Sequence, residues 1–296
     1  MGRRPIILKK EHDSNVATGL NGTAQTCHFG TESLPVFAPV AIHLLNVVSQ
    51  ENVGLAKLAA LIRADAGITT EVLRLANSPL FGARHEITGI LHALAMLGLN
   101  RIKSMVMTVA IRDFLAPARS AVVFAPCWRH CLATAFLSEE MAGYGDYDRD
   151  GCYTAGLIHE LGRLALIAAC PAKYDEAAAI STQEDRDMAE LEREFFGTDH
   201  NALRVQLMLH WNLPRFFREV LEPHTPRTGA AELVHTACEM ANMMGFRVGG
   251  PECPWDLSRL AGLPAAMVPE SPAAIEELTA SVATKINTLE CSLVMV

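Results

Sequence analysis

Gly156-Leu157-Ile158-His159-Glu160-Leu161-Gly162-Arg163 sets an imidazole directly beside a carboxylate inside an apolar, helix-like stretch. Imidazole and carboxylate donors suit a divalent ion such as Mn, Fe, Zn or Ni, and a hydrolytic site uses that ion to activate water. Adjacent helical residues point about 100° apart, so His159 and Glu160 can flank one ion beside the helix without facing each other. Such an ion needs more ligands from other helices. His130 lies 29 positions earlier, a separation that suits two antiparallel helices joined by a loop. His200, His224 and Glu239 lie on or beside later helical segments. These six residues could in principle surround a metal, but the chain has 11 His, so spacing alone does not decide the matter.

A metal-free reading has its own mechanism. Glu160 and Arg163 are three apart on one helix and can pair directly, which satisfies the carboxylate without an ion. His130 and His159 are then hydrogen-bonded core histidines. Other groups carry a bland alternative of the same kind. Cys127 and Cys131 share a helix face near His130, as a soft-metal pair or as buried small residues. Asn77-Ser78-Pro79 is a ligand-contacting loop or a helix stop, since Asn and Ser bond local backbone and Pro disfavours helix before it. Met240, Met243 and Met244 read as core filler or as an adaptable binding surface. The acidic run from Glu184 to Glu194 reads as a solvated face or a site for a basic partner.

The elements that must position these groups are helices. Leu55, Leu58, Ala59 and Ile62 recur at three- and four-residue spacing, which marks one buried stripe. Val40 to Val48, Ile68 to Ala76, Thr88 to Leu97 and Arg101 to Leu115 read as helices, with Asn100 as an N-cap. After a loop over 118–126 come Trp128 to Met141, a polar loop over 143–151 and one apolar helix from Tyr153 to Ala169. Tyr174 to Ile180, Met188 to Phe196, an Asp199-capped helix to Trp211, Phe216 to Leu221 and Ala230 to Met244 complete the series. Residues 246–270 are rich in Pro and Gly, and Ser271-Pro272 then opens a last helix from Ala273 to about Leu293. No strand-like alternation, internal repeat or persistent heptad is present, so the expected fold is an all-α globular multi-helix bundle.

Composition bounds the function. The chain has 296 residues, half of them hydrophobic, enough to bury a sizeable core. Its 25 basic and 33 acidic residues give a net charge of -8, which disfavours unaided nucleic-acid binding. Eight cysteines form no C-x-x-C pair, and Ile6-Ile7-Leu8 is too short a run for a secretory signal. The cysteines therefore read as reduced, and the expected location is cytoplasmic, away from the membrane. No G-x-S-x-G, P-loop or G-x-G-x-x-G pattern is present.

One ordered series carries a resemblance. It runs Leu34-Pro35, Leu73-Arg74-Leu75-Ala76-Asn77-Ser78, Ala93-Leu94-Ala95-Met96-Leu97-Gly98, Trp128-Arg129-His130, Gly156 to Gly162, Phe196-Gly197-Thr198-Asp199-His200 and Trp211-Asn212-Leu213-Pro214. Over about residues 31–229 it resembles HDOD domains, the regulatory branch of the HD superfamily of helical phosphohydrolases. The resemblance implies a signalling module that lacks a complete catalytic metal site, with Asn77 and Ser78 in a characteristic turn. It places His130 at the first metal His of active HD enzymes, His159 at the His of the His-Asp pair, Glu160 at the Asp and Arg163 where many active members have Lys. Glu239 falls loosely near the last Asp ligand. The longer Glu moves its carboxylate by roughly a bond length, whereas metal–ligand distances tolerate about 0.2 Å. Arg stays protonated and cannot exchange a proton.

The expected organisation is a leader over 1–30, an HDOD domain over 31–229 and a helical extension over 230–296 packed on it. The expected function is non-enzymatic signalling or regulation through protein or small-ligand binding, with a partner supplied in trans, no cofactor and an unspecified oligomeric state. The alternative is a metal-dependent phosphohydrolase acting on a nucleotide or cyclic dinucleotide through a divalent ion.

Overall fold

The computed structural model of the chain describes residues 42, 55–82, 85–222, 227–248, 253–260, 262–269 and 271–293. The expected leader and almost all of the expected Val40–Val48 helix lie outside them, and Ile42 is helical. The described residues are all-α with no strand, and no single helix among them is long and apolar enough to cross a membrane.

Local chemistry sets the helix starts. Asp65 caps α2 (Ala66–Ala76), after α1 (Leu55–Arg63), with Oδ1 accepting from the Ile68 amide at 3.0 Å. Asn77 closes α2 and clamps the next segment. Its Nδ2 donates to the carbonyls of Leu73 and Ile87, and its Oδ1 accepts from the Ile87 amide at 2.7 Å. Between α3 (Ile90–Leu97) and α4 (Leu99–Phe114) the N-cap is Gly98, at φ 82°, and the expected cap Asn100 lies inside α4. A left-handed φ suits the residue without a Cβ better than it suits Asn as a cap.

The centre of the fold is α5 (Phe124–Ala142), which starts inside the expected 118–126 loop and buries most of its length. Against it pack α6 (Arg149–Ile158), α12 (Ala230–Met243) and α13 (Pro272–Ser292). Ser271 caps α13 by accepting from the Ala274 amide, with Pro272 in the first turn. An ion pair between Arg129 and Glu290 and another between Lys285 and Glu140 tie α13 to α5.

The single helix expected over Tyr153–Ala169 is in fact two. α6 ends at Ile158, α7 (Leu161–Ala169) begins after a turn, and that turn is His159-Glu160. A helix end leaves its last carbonyls without amide partners, and here side chains serve two of them. The Gly156 carbonyl accepts from the His159 ring at 2.6 Å, and the His159 carbonyl accepts from Arg204 at 2.7 Å. Periodicity cannot show such a break, because both halves stay apolar.

α8 (Pro171–Glu184), α9 (Met188–Phe196), α10 (His200–His210) and α11 (Arg215–Leu221) complete the described helices. Asp199 caps α10 by accepting from the Ala202 amide at 2.9 Å. α10 packs closely on α7, and Met240, Met243 and Met244 are all buried.

Candidate functional site

Two glycines bring the site together. A Cβ on Gly156 would lie 2.8 Å from the Ala135 Cα, so its absence lets α6 sit against α5, which carries His130. A Cβ on Gly162 would lie 1.9 Å from the His200 carbonyl oxygen, so its absence lets α7 sit against α10. These glycines flank His159-Glu160, and each sets one wall of the pocket around it.

His130 and His159 meet with their Nε2 atoms 3.0 Å apart, and both are buried. The His130 Nδ1 donates to the Phe246 carbonyl at 2.6 Å, and the His159 Nδ1 donates to the Gly156 carbonyl at 2.6 Å. A neutral imidazole has one N–H, so with both Nδ1 atoms donating to carbonyls both Nε2 atoms carry lone pairs. Cys238, on α12, brings its Sγ to 3.6 Å from the His130 Nε2. The two Nε2 atoms and this Sγ lie within 4.8 Å of one another.

Glu160 turns the other way. Its Oε2 accepts from the Arg163 Nε at 2.6 Å, while Oε1 stays 4.0 Å from the His159 Nε2. Arg163 also reaches the Tyr174 hydroxyl at 3.3 Å and the His200 Nε2 at 3.4 Å. Behind them sits Glu192, fully buried, which accepts from the Tyr174 hydroxyl, from the His200 amide at 2.8 Å and from the His200 Nδ1. His200 thus belongs to the carboxylate network and not to the imidazole pair.

The electrostatics follow the geometry. Burial alone would raise the Glu160 carboxyl, but Arg163 and then the histidines hold it well below the usual range. Burial disfavours a charged Arg163, yet Glu160 beside it lifts the guanidinium well above its ordinary value. Burial pulls His159 down to about 3, His130 adds to that, and Glu160 opposes it. Burial also lowers His130 and raises the Cys238 thiol.

The other candidates lie elsewhere. Glu239 faces away and pairs with Arg259. His224 lies outside the described residues. Asn77 serves the clamp at the end of α2, and Ser78 is buried next to it. Cys127 and Cys131 are fully buried on α5. Sequence reasoning missed Cys238, Tyr174, Arg204 and Glu192. Glu192 was hidden in an acidic run that reads as a solvated face, and its one signal is its place four residues from both Met188 and Phe196, on the same face of the helix as buried Leu191 and Phe196. Cys238 gave no spacing signal at all.

The imidazole pair forms a partition between two cavities. One, of about 270 Å³, is lined by His130, Glu160, Arg163, Tyr174, Cys238 and Asn242 among others. The second, of about 180 Å³, is lined by His159, Glu160, Arg204, Arg227, His235 and Cys238 among others. Glu160 and Cys238 line both.

A hydrolytic ion of the kind an HD site holds needs free carboxylate beside the imidazoles. Here Glu160 is neutralised by Arg163, Glu239 is committed to Arg259, and the third convergent donor is a thiol. The hard, carboxylate-bearing donor set does not fit.

Residues 34–226 match the HDOD domain family. A solved HDOD domain protein of unknown function from Geobacter sulfurreducens aligns with a TM-score of 0.68 at 19% identity, covering 88% of this chain and 92% of that one. A Shewanella amazonensis SB2B protein provisionally named a phosphohydrolase aligns with a TM-score of 0.66 at 19% identity, covering 88% and 96%. A Marinobacter aquaeolei VT8 protein provisionally named a signal transduction protein aligns with a TM-score of 0.66 at 17% identity, covering 88% and 59%. At these identities the likeness shows the fold alone. An uncharacterized protein of Treponema pallidum (strain Nichols) is 22% identical over 204 residues, which are 66% of this chain but only 39% of that protein's length.

Proposed function

The chain belongs to the HDOD domain family, and on that premise we propose that it is a non-enzymatic signalling or regulatory module. It engages a signalling protein in trans, or a small ligand, without turning over a substrate. The observation that carries this reading is the Glu160–Arg163 pair. The carboxylate that would complete a hydrolytic site is held by a guanidinium that cannot leave as a neutral group, since Arg stays protonated. Arg163 is itself held by Tyr174, His200 and Glu192, so the pair is built into the core and not left as a loose surface contact. The two cavities beside the imidazoles give a small ligand room.

The test is phosphate release by the full chain from a phosphomonoester, a nucleotide and a cyclic dinucleotide, with Mn, Fe, Ni or Zn supplied. The expected result is no turnover above that of the His159→Ala variant. Metal-dependent turnover that this variant loses would favour the phosphohydrolase instead, a rival supported by the convergence of His130 and His159. A pull-down with the purified chain then identifies the partner, and recovery of none would count against the signalling part of the reading.

A further inference from the structure

We propose that His130, His159 and Cys238 form a three-donor site for a borderline-soft d10 cation, zinc(II), in place of the hard hydrolytic ion that the donor set excludes. This departs from the expectation of no cofactor, and it stands whether or not a signalling partner is found.

The argument begins with an unbalanced count of protons. Each Nδ1–H is committed to a backbone carbonyl, of Phe246 or of Gly156. Two Nε2 lone pairs then point at each other across 3.0 Å. Two acceptors at that distance repel unless a donor or a cation serves them. Among the described residues, one proton is within reach, that of the Cys238 thiol, 3.6 Å from the His130 Nε2. It serves the His130 lone pair, and among the described residues the one hydrogen-bond contact of the His159 Nε2 is the His130 ring itself. The neighbouring guanidinium of Arg163 does not help, since its contacts run to Glu160, Tyr174 and His200.

A zinc ion resolves the count. It binds imidazole nitrogen at about 2.0–2.1 Å and thiolate sulfur at about 2.3 Å, with near-tetrahedral angles. Those values place two nitrogens about 3.3 Å apart and a nitrogen and a sulfur about 3.6 Å apart. The structure holds the nitrogens at 3.0 Å and the His130–Cys238 pair at 3.6 Å, so these two pairs need shift by only a few tenths of an ångström, and the His159–Cys238 pair, within 4.8 Å, closes as the ion draws the three donors in. On binding, the Cys238 Sγ gives its proton to solvent and forms a bond to zinc, and the thiolate offsets one of the ion's two charges. A proton shared between the imidazoles would have as counter-charge only Glu160, 4.0 Å from the His159 Nε2 and already paired with Arg163.

The surroundings match what a metal ligand set requires. Ring nitrogens not used for the ion donate to backbone carbonyls, which fixes each imidazole's tautomer and orientation. Three protein donors leave a fourth position, and the two cavities that Cys238 lines, one beside His130 and one beside His159, give water or a small ligand room to complete the shell. Cys127 and Cys131 lie outside the set, since among the described residues only His130, His159 and Cys238 bring donor atoms within 4.8 Å of one another.

Cobalt(II) substitution of the full chain tests this. After chelator treatment and dialysis, one equivalent of cobalt should produce the visible bands of four-coordinate cobalt and a near-ultraviolet sulfur-to-cobalt charge-transfer band. One equivalent of zinc should abolish both. Cys238→Ser should remove the charge-transfer band and weaken zinc binding at least about 100-fold, beyond the roughly 10–100-fold seen when only outer-shell partners are lost. Cys291→Ser, at an exposed position, should change neither. Folded wild-type protein with no cobalt band overturns the site, and so does a charge-transfer band that persists in Cys238→Ser. If Cys238→Ser does not fold, the wild-type spectrum and zinc stoichiometry still decide. Zinc bound without phosphate release supports this site and the non-enzymatic reading together. Zinc bound with release sinks that reading alone, and no zinc sinks this site alone.

Discussion

Replacing Arg163 with Met keeps the length of the side chain and removes its charge. The perturbed pair is buried, with side chains 14 % and 13 % exposed, so solvent does little to screen it. Charges whose centres lie about 4 Å apart interact by about 4 kcal/mol at an effective dielectric constant of about 20. Breaking a buried pair by removing one partner costs about 3–5 kcal/mol, because the other charge stays buried. We therefore expect Arg163→Met to destabilise the protein by about 3–5 kcal/mol at neutral pH, read from urea unfolding followed by circular dichroism. The double variant Glu160→Gln/Arg163→Met should recover about 2–3 kcal/mol of that, since a neutral amide needs no counter-charge. The sign of the pH dependence is fixed. Glu160 in the folded protein has a lowered pKa, so its stabilising contribution is present above the ordinary carboxyl value and is lost as the pH falls toward the folded value. The variant lacks that contribution and gains stability when Glu160 takes up a proton, so the gap to wild type should narrow from pH 7 to pH 4. A cost under about 1 kcal/mol, or a double variant no better than the single one, would refute the buried-pair account.

Gly162→Ala should abolish the native fold, because its Cβ would sit 1.9 Å from the His200 carbonyl oxygen, backbone that cannot move aside; soluble expression and a thermal melt report it. Gly156→Ala, 2.8 Å from the Ala135 Cα, should cost about 1–3 kcal/mol in the same melt, the usual range for overpacking. In chelator-treated protein, acid should weaken the fold through His159. Its folded pKa of about 3 lies below the ordinary 6.5, so its contribution is full above about 6.5 and is lost as the pH falls toward 3. The slope of urea midpoint against pH over that window should flatten in His159→Gln, and an unchanged slope would remove His159 as its source. Asn77→Ala should cost about 1–2 kcal/mol by cutting the clamp onto Ile87, and Asn77→Asp should cost no less, because its second oxygen would face the Leu73 and Ile87 carbonyls that the Nδ2 now serves.

Much of the helical framework is legible from residue types because its signals are local. The Asp199 and Ser271 caps act within three residues of themselves, so a chain read in order shows them directly. The misread boundaries each depend on something a local pattern lacks. Gly98 caps α4 through a left-handed backbone, and Asn100, the better cap by residue type, is carried into the helix instead. The break at His159-Glu160 depends on two carbonyls being served by His159 itself and by Arg204, 45 positions away. Apolar periodicity runs straight through it.

The site divides along the same line, and the division bears on what the cavity does. The pairing of Glu160 with Arg163 is readable from a three-residue spacing, and so is the placing of an imidazole at 159 beside an acid. Cys238 and Glu192 are not readable, because each gains its meaning from a partner on another helix. Glu192 sits in an acidic run, yet its carboxylate is buried against Tyr174 and His200. It gives Arg163 a second anion, so the guanidinium is held from both sides and Glu160 is not free to swing toward the imidazoles. A rotation that freed Glu160 would strand Arg163 beside Glu192 alone and leave the Glu160 charge without its partner, at a cost of the order worked out above. The imidazoles are therefore left to whatever donor or cation their surroundings supply. Cys238, on α12, which packs on α5, is the group that reaches the His130 Nε2. The acid and the thiol line the same two cavities beside the rings, and the guanidinium, by holding the acid, leaves the thiol to them.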